Sequence, residues 1–129
     1  MAFHTAQLPL LPVAMTTAEL TARINAFRDE RDWAQFHNPK DMAISVSIEA
    51  AELLEHFQWK TPAQCEAHVA AHRGEIADEI ADVAIYLFEL ADGLGIALDE
   101  AMLAKLEKNA LKYPVAKAKG SIKKYSELA

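Results

Sequence analysis

The stretch "EIADEIADVAIYLFELADG", residues 75–93, sets the fold class, because its apolar residues recur in steps of three and four with no two-residue alternation. On a helical wheel Glu75, Glu79, Asp82, Tyr86 and Glu89 fall in one stripe. Ile76, Ile80, Val83, Leu87 and Leu90 border it on one side, and Ala81, Ile85 and Phe88 on the other. The pattern predicts a helix that carries its acids within its apolar face.

"SIEAAELLEHFQW", residues 47–59, repeats the device. Ser45, Glu49, Glu52, His56 and Trp59 share a stripe, flanked by Val46, Ala50, Leu53 and Phe57 and by Ile44, Ile48 and Ala51. Glu55 is rotated out of that stripe and has two readings, a supporting acid behind the stripe or, the one favoured, a plain surface acid.

Working outward, caps and breakers divide the chain into about four helices. Thr16 and Glu19 make a capping-box pattern that opens the first, running to about Trp33 with Leu20, Ile24 and Phe27 on its apolar side. Asn38-Pro39 opens the second, which continues through Trp59. Thr61-Pro62-Ala63-Gln64 opens a third helical stretch that extends to Leu94, open to an interruption near Gly74 and stopped by Gly93 and Gly95. Asp99 is the expected cap of a fourth helix, "EAMLAKLEKNALKY", before Pro114, and the Lys-rich tail beyond it has little periodicity. Four such helices predict an all-α, four-helix-bundle-like domain over residues 16–129, preceded by a loose arm over 1–15.

Composition agrees with one compact helical domain: 129 residues, 52% hydrophobic, four glycines. Cys65 is the single cysteine and can form no internal disulfide, which points to a reducing, cytoplasmic setting. The opening "MAFHTAQLPLLPVAM" lacks a basic leader, is broken by Pro9 and Pro12, and is too short to span a membrane. A net charge of −6 argues against nucleic acid as a partner. The charge is uneven: eight acidic and no basic residues lie between Arg73 and Lys105, whereas residues 105–129 hold seven of the thirteen basic ones. Such a split suits a bound cation beside a bound polyphosphate.

Solvated acidic faces are usually laced with lysine or arginine, and these stripes are not. Desolvated, each unpaired carboxylate would cost several kcal/mol, roughly, which a cation would offset. Carboxylate oxygen without matching histidine or cysteine is the chemistry of a hard ion, so magnesium is expected, with manganese as a substitute. A di-iron centre would need Glu-x-x-His, and no histidine here has Glu three residues before it. Cys65, His68 and His72 share a helical face but offer no fourth ligand for a soft metal.

The pattern "EAAE" (Glu49, Glu52) followed by "EIAD" (Glu79, Asp82) resembles the E-x-x-E…E-x-x-D signature of MazG-like nucleotide pyrophosphohydrolases. "ERDWAQFHNPKD", "FQWKT", "EIADVAIYL", "KLEKNALKYP" and "KKYSEL", in that order over about residues 17–128, are similar to its dCTP pyrophosphatase branch. The resemblance implies an all-α NTP pyrophosphatase fold, assembled as a homodimer or homotetramer. It also implies hydrolysis of a nucleoside triphosphate at the α-phosphorus to the monophosphate and pyrophosphate, on dCTP or modified pyrimidine nucleotides.

Residue by residue, the resemblance makes Glu49, Glu52, Glu79 and Asp82 the magnesium cage and catalytic centre. It assigns Trp33, Trp59 and Tyr86 to the nucleotide pocket, with His37 as a polar neighbour, and Lys105, Asn109 and Lys112 to a helix face that meets phosphates. Where it would place a histidine nine residues before the first tryptophan, this chain has Ile24, which argues against tight selection for cytosine. Two alternatives stand beside this expectation: the same chemistry on a broader set of nucleotides, and a non-catalytic helical module whose acidic stripes bind a protein partner.

Overall fold

The computed structural model describes residues 14–129, and every regular element among them is helical. α1 spans Thr17–Glu30, α2 Pro39–Glu55, α3 Pro62–Ala71, α4 Arg73–Gly93, α5 Leu98–Lys112 and α6 Val115–Ala118. Short 3-10 turns occupy Ala34–Phe36 and Tyr125–Glu127. The arm expected over residues 1–15 lies almost wholly outside the described residues.

The three predicted starts are formed as the cap chemistry requires. Thr16 Oγ1 accepts from the Glu19 amide at 3.1 Å while Glu19 Oε2 accepts from the Thr16 amide at 2.7 Å. Asn38 Oδ1 accepts from the Asp41 amide at 3.0 Å, with Pro39 at the first helical position. Thr61 and Gln64 form a second reciprocal box.

Three helix boundaries are corrected. The first helix stops at Glu30, short of Trp33, because Asp32 adopts φ +54°, a left-handed conformation that aspartate tolerates and a helix does not. The second stops at Glu55; the chain turns through His56 to Trp59, and Trp59 sits at φ +64°, unusual for a bulky side chain. The third stretch does divide near Gly74, into two helices that break at His72 (φ −122°, ψ 29°). The fourth helix begins at Leu98 after Ala97, so Asp99 lies in its first turn with Oδ1 accepting the Glu100 amide at 2.8 Å, where its charge favours the helix dipole. The tail also holds more structure than its weak periodicity implied: the Tyr125 ring packs edge-on to Tyr113 and under Lys112 Nζ, 4.9 Å from the centroid.

α4 is the centre of the packing. Its longest contact is with α2, so the two acid-bearing stripes face one another, and α1, α3 and α5 rest on other sides of it. Asn25 Nδ2 donates to Asp92 Oδ2 at 2.9 Å and ties α1 to the far end of α4. Gly95, at φ +68°, turns the chain away from α4, with its amide on the Asp92 carbonyl. The apolar interior is thin: among the described residues only Ile24, Met42, Ile76 and Ala91 are buried hydrophobics. Ile44, Ile48, Leu54, Ile80, Leu87, Leu103, Leu106 and Leu111 remain exposed in the single chain.

Candidate metal and nucleotide site

Glu49 on α2 and Glu79 and Asp82 on α4 each bring a carboxylate oxygen within 4.8 Å of the other two. Their spacing follows from the helix repeat, since Glu79 and Asp82 are three residues apart and face Glu49 across the α2–α4 contact. Glu49 Oε2 and Glu79 Oε2 are both buried and have no hydrogen-bond partner. Burial, reinforced by Glu52, Asp82 and Glu79, pushes the Glu49 carboxyl from 4.5 up to about 7. Glu79 is raised for the same reasons, burial first and then Glu52.

Glu52 is exposed and stands outside the tight triad, but its effect on both Glu49 and Glu79 places it beside them. Four carboxylates with no lysine or arginine paired to them are an unstable arrangement in isolation. Two orphaned oxygens aimed into such a cluster fit a hard divalent cation, and the donor set fits magnesium or manganese.

The cluster opens onto a cavity of about 600 Å³, within the usual range for a small-molecule site. Glu49 and Asp82 line one end of it. Trp33, His37 and Tyr86, expected from the sequence, line the rest, together with Ile24 at the position where the resemblance would place a histidine. Tyr86 stands one turn beyond Asp82, its hydroxyl pKa raised by burial and by Glu49, Glu89 and Asp82. Five of the eleven expected site residues, Trp33, His37, Glu49, Asp82 and Tyr86, thus line one cavity, with Glu79 joined to Glu49 and Asp82 at its edge and Glu52 beside them.

The remaining expected residues are elsewhere in the single chain. Trp59 is 92% exposed and does not line the cavity. Lys105 and Lys112 are exposed on α5, Asn109 is half-buried there, and none of the three lines the cavity; Lys112 packs on Tyr125.

Among the lining residues that sequence reasoning missed as site residues are Arg23, Phe27 and Arg28 on α1, and Glu89 on α4. Glu89 was legible as the last member of the α4 stripe. The arginines gave no signal, because only the crossing of α1 over α4 brings them to the cavity.

Comparison with known proteins bears on the family and the fold. Residues 44–128 match the sequence model of the MazG-like family. The chain is 38% identical over 115 residues to dCTP pyrophosphatase 1 of Rattus norvegicus, covering 87% of this chain and 68% of that protein. It is equally similar, at 38% with the same coverage, to dCTP pyrophosphatase 1 of Homo sapiens. The crystal structure of a pyrophosphatase from Archaeoglobus fulgidus superposes with a TM-score of 0.74 at 42% identity, over 81% of this chain and 98% of that one.

Proposed function

Because the chain belongs to the MazG-like family and is a nucleoside triphosphate diphosphatase, we propose that it is magnesium-dependent and converts dCTP or a modified pyrimidine nucleotide to the monophosphate and pyrophosphate. One observation carries this reading. Two buried, unpartnered carboxylate oxygens, on Glu49 and Glu79, belong to an acid cluster that reaches through Glu49 and Asp82 into a cavity walled by Trp33 and Tyr86, so charge for a metal–triphosphate adjoins flat surface for a base.

Glu49, Glu52, Glu79 and Asp82 would hold the cation. Bound there, a divalent ion supplies charge neutralisation for the triphosphate and a lowered pKa for water. The chain's own residues do the rest. Trp33, Tyr86 and Ile24 desolvate and orient the base and sugar, while the acid cluster keeps a triphosphate without its metal out by repulsion. Arg23 and Arg28 add positive charge at the α1 wall, although Arg28 Nε is already engaged by Asp29 Oδ1 at 2.8 Å.

A panel of ribo- and deoxyribonucleoside triphosphates, assayed for pyrophosphate with magnesium, with manganese and with chelator, tests the reading. Turnover is expected only with metal, highest on a pyrimidine deoxynucleotide. No pyrophosphate from any nucleotide with either metal would sink it.

The exposed apolar faces support a homodimer or homotetramer. Leu103, Leu106 and Leu111 on α5 and Ile44, Ile48 and Ile80 on α2 and α4 are large apolar side chains exposed in the single chain, which an assembly would cover. The same assembly would be the route by which Trp59, Lys105, Asn109 and Lys112 approach a nucleotide, on a neighbouring copy. Size-exclusion with light scattering at two concentrations is expected to return a dimer or larger species at both; a monomer throughout would refute the assembly. No helix among the described residues is long and apolar enough to cross a membrane, and a lone cysteine fits a cytoplasmic enzyme.

A further inference from the structure

Glu89 is the only buried charged residue among those described, 7% exposed, and it is also part of the cavity wall. It lies seven residues beyond Asp82 on α4, about 10 Å along the helix axis from the acid cluster. That separation is comparable to the distance from the α-phosphorus of a nucleotide to the far edge of its base.

Among the described residues, the ionisable side chain within salt-bridge distance of Glu89 is His37, whose Nδ1 is 3.2 Å from Glu89 Oε2, the two side chains being 15% and 5% exposed. The contact is not aligned as a hydrogen bond, and His37 Nδ1 is buried without a partner. Trp33 stands beside His37, with ring centroids 6.4 Å apart, and Tyr86 is one turn back along α4. A flat ring held between these aromatics would therefore present its edge to the Glu89–His37 pair. A buried carboxylate costs several kcal/mol, roughly, unless hydrogen bonds satisfy it, and the apolar neighbours Ile24 and Ile85 supply none.

We propose that Glu89 determines specificity: its carboxylate, steadied by His37, accepts a hydrogen bond from the exocyclic amine of the substrate's base. The inference rests on the reading that this cavity holds a nucleotide. An amino base donates to the carboxylate, as cytosine N4 does to glutamate or aspartate in other protein–nucleic acid contacts. An oxo base instead sets its carbonyl oxygen against Glu89, acceptor against acceptor, and is rejected. The histidine absent at position 24 is then not needed for reading the amine.

The test compares amino and oxo partners on one scaffold: kcat/KM for dCTP against dUTP, and for dATP against dITP, in the intact protein and in Glu89→Gln. The wild type is expected to favour the amino member of at least one pair by about tenfold or more. Glu89→Gln can donate as well as accept, so the ratio should collapse toward one, and Glu89→Met, which can do neither, should collapse it too. A wild type that does not discriminate, or variants that slow every nucleotide equally and keep the ratio, would overturn the inference and leave Glu89 a structural acid. If the wild type releases no pyrophosphate, the catalytic reading fails by itself. Calorimetric binding of dCMP against dUMP and dAMP against dIMP, with magnesium, then reads the same ratio. No amino preference there, or no binding, overturns the inference independently.

Discussion

Asp82→Asn and Glu79→Gln each lower pyrophosphate release by about a hundredfold to a thousandfold or more, with the fold intact. Each substitution keeps side-chain volume and removes one charge from a cluster in which oxygens of Glu49, Glu79 and Asp82 lie within 4.8 Å of one another. The loss falls on the interaction with a cation and the triphosphate it accompanies, where charge cannot be replaced by a neutral amide. Packing should not suffer, because the acids repel one another: burial and neighbouring carboxylates raise both Glu49 and Glu79 above their ordinary range. Without metal, the variants should melt at the wild-type temperature or higher. Glu55→Gln is the control, since Glu55 is exposed and outside the cavity lining; its turnover should match the wild type. Asp82→Asn with activity within threefold of wild type and an unchanged metal requirement would remove Asp82 from the site. If no variant changes nucleotide turnover because there is none, but an interaction with another protein weakens, the non-catalytic alternative takes over.

Metal-free protein loses stability as pH rises from about 4.5 to about 7, and magnesium restores it. Glu49 holds its proton to about 7 in the fold against 4.5 in the open chain, so between these values the native state binds more protons than the unfolded one. The contribution of Glu49 is therefore full below about 4.5 and gone above about 7, on the order of 1–2 kcal/mol after allowance for solvent screening. His68 works the other way: burial and its neighbour His72 lower its pKa, so its contribution is lost as pH falls below about 6.5. Comparing wild type with Glu49→Gln isolates the carboxylate. In chelator, the melting-temperature difference between the two should grow from pH 5 to 8 in favour of the variant. Magnesium competes with the proton, so its stabilisation of the wild type should be small at pH 5 and reach about 5 °C or more at pH 8. A magnesium shift independent of pH, or a wild type that follows Glu49→Gln at every pH in chelator, would contradict this account.

Particular residues mark how far the chain could be read before it folded. Thr16, Asn38 and Thr61 announced three helix starts, since a cap is a contact between residues three apart and needs no tertiary partner. Helix ends were harder. Asp32 takes a left-handed conformation that aspartate tolerates without requiring, Trp59 one that tryptophan rarely adopts, and the break at His72 falls two residues before the glycine that marked it. Glu49, Glu79 and Asp82 were legible as a candidate cluster, which the fold brings together, because acids inside apolar stripes are anomalous in any helix, whatever it packs against. Trp59, Lys105, Asn109 and Lys112 were read from short motifs that carry no information on which chain they serve, and in the single chain they lie away from the cavity.

By itself the sequence determined the helical class, the starts of the first three major helices and the two acidic stripes, all of which depend on periodicity and contacts within one turn. Only the tertiary structure decided that α2 and α4 bring those stripes face to face, that α1 closes the cavity with Arg23 and Arg28, and that Glu89 meets His37 across more than fifty residues of chain. Those pairings depend on how helices cross, and a helical wheel shows which face is apolar without showing what that face will meet.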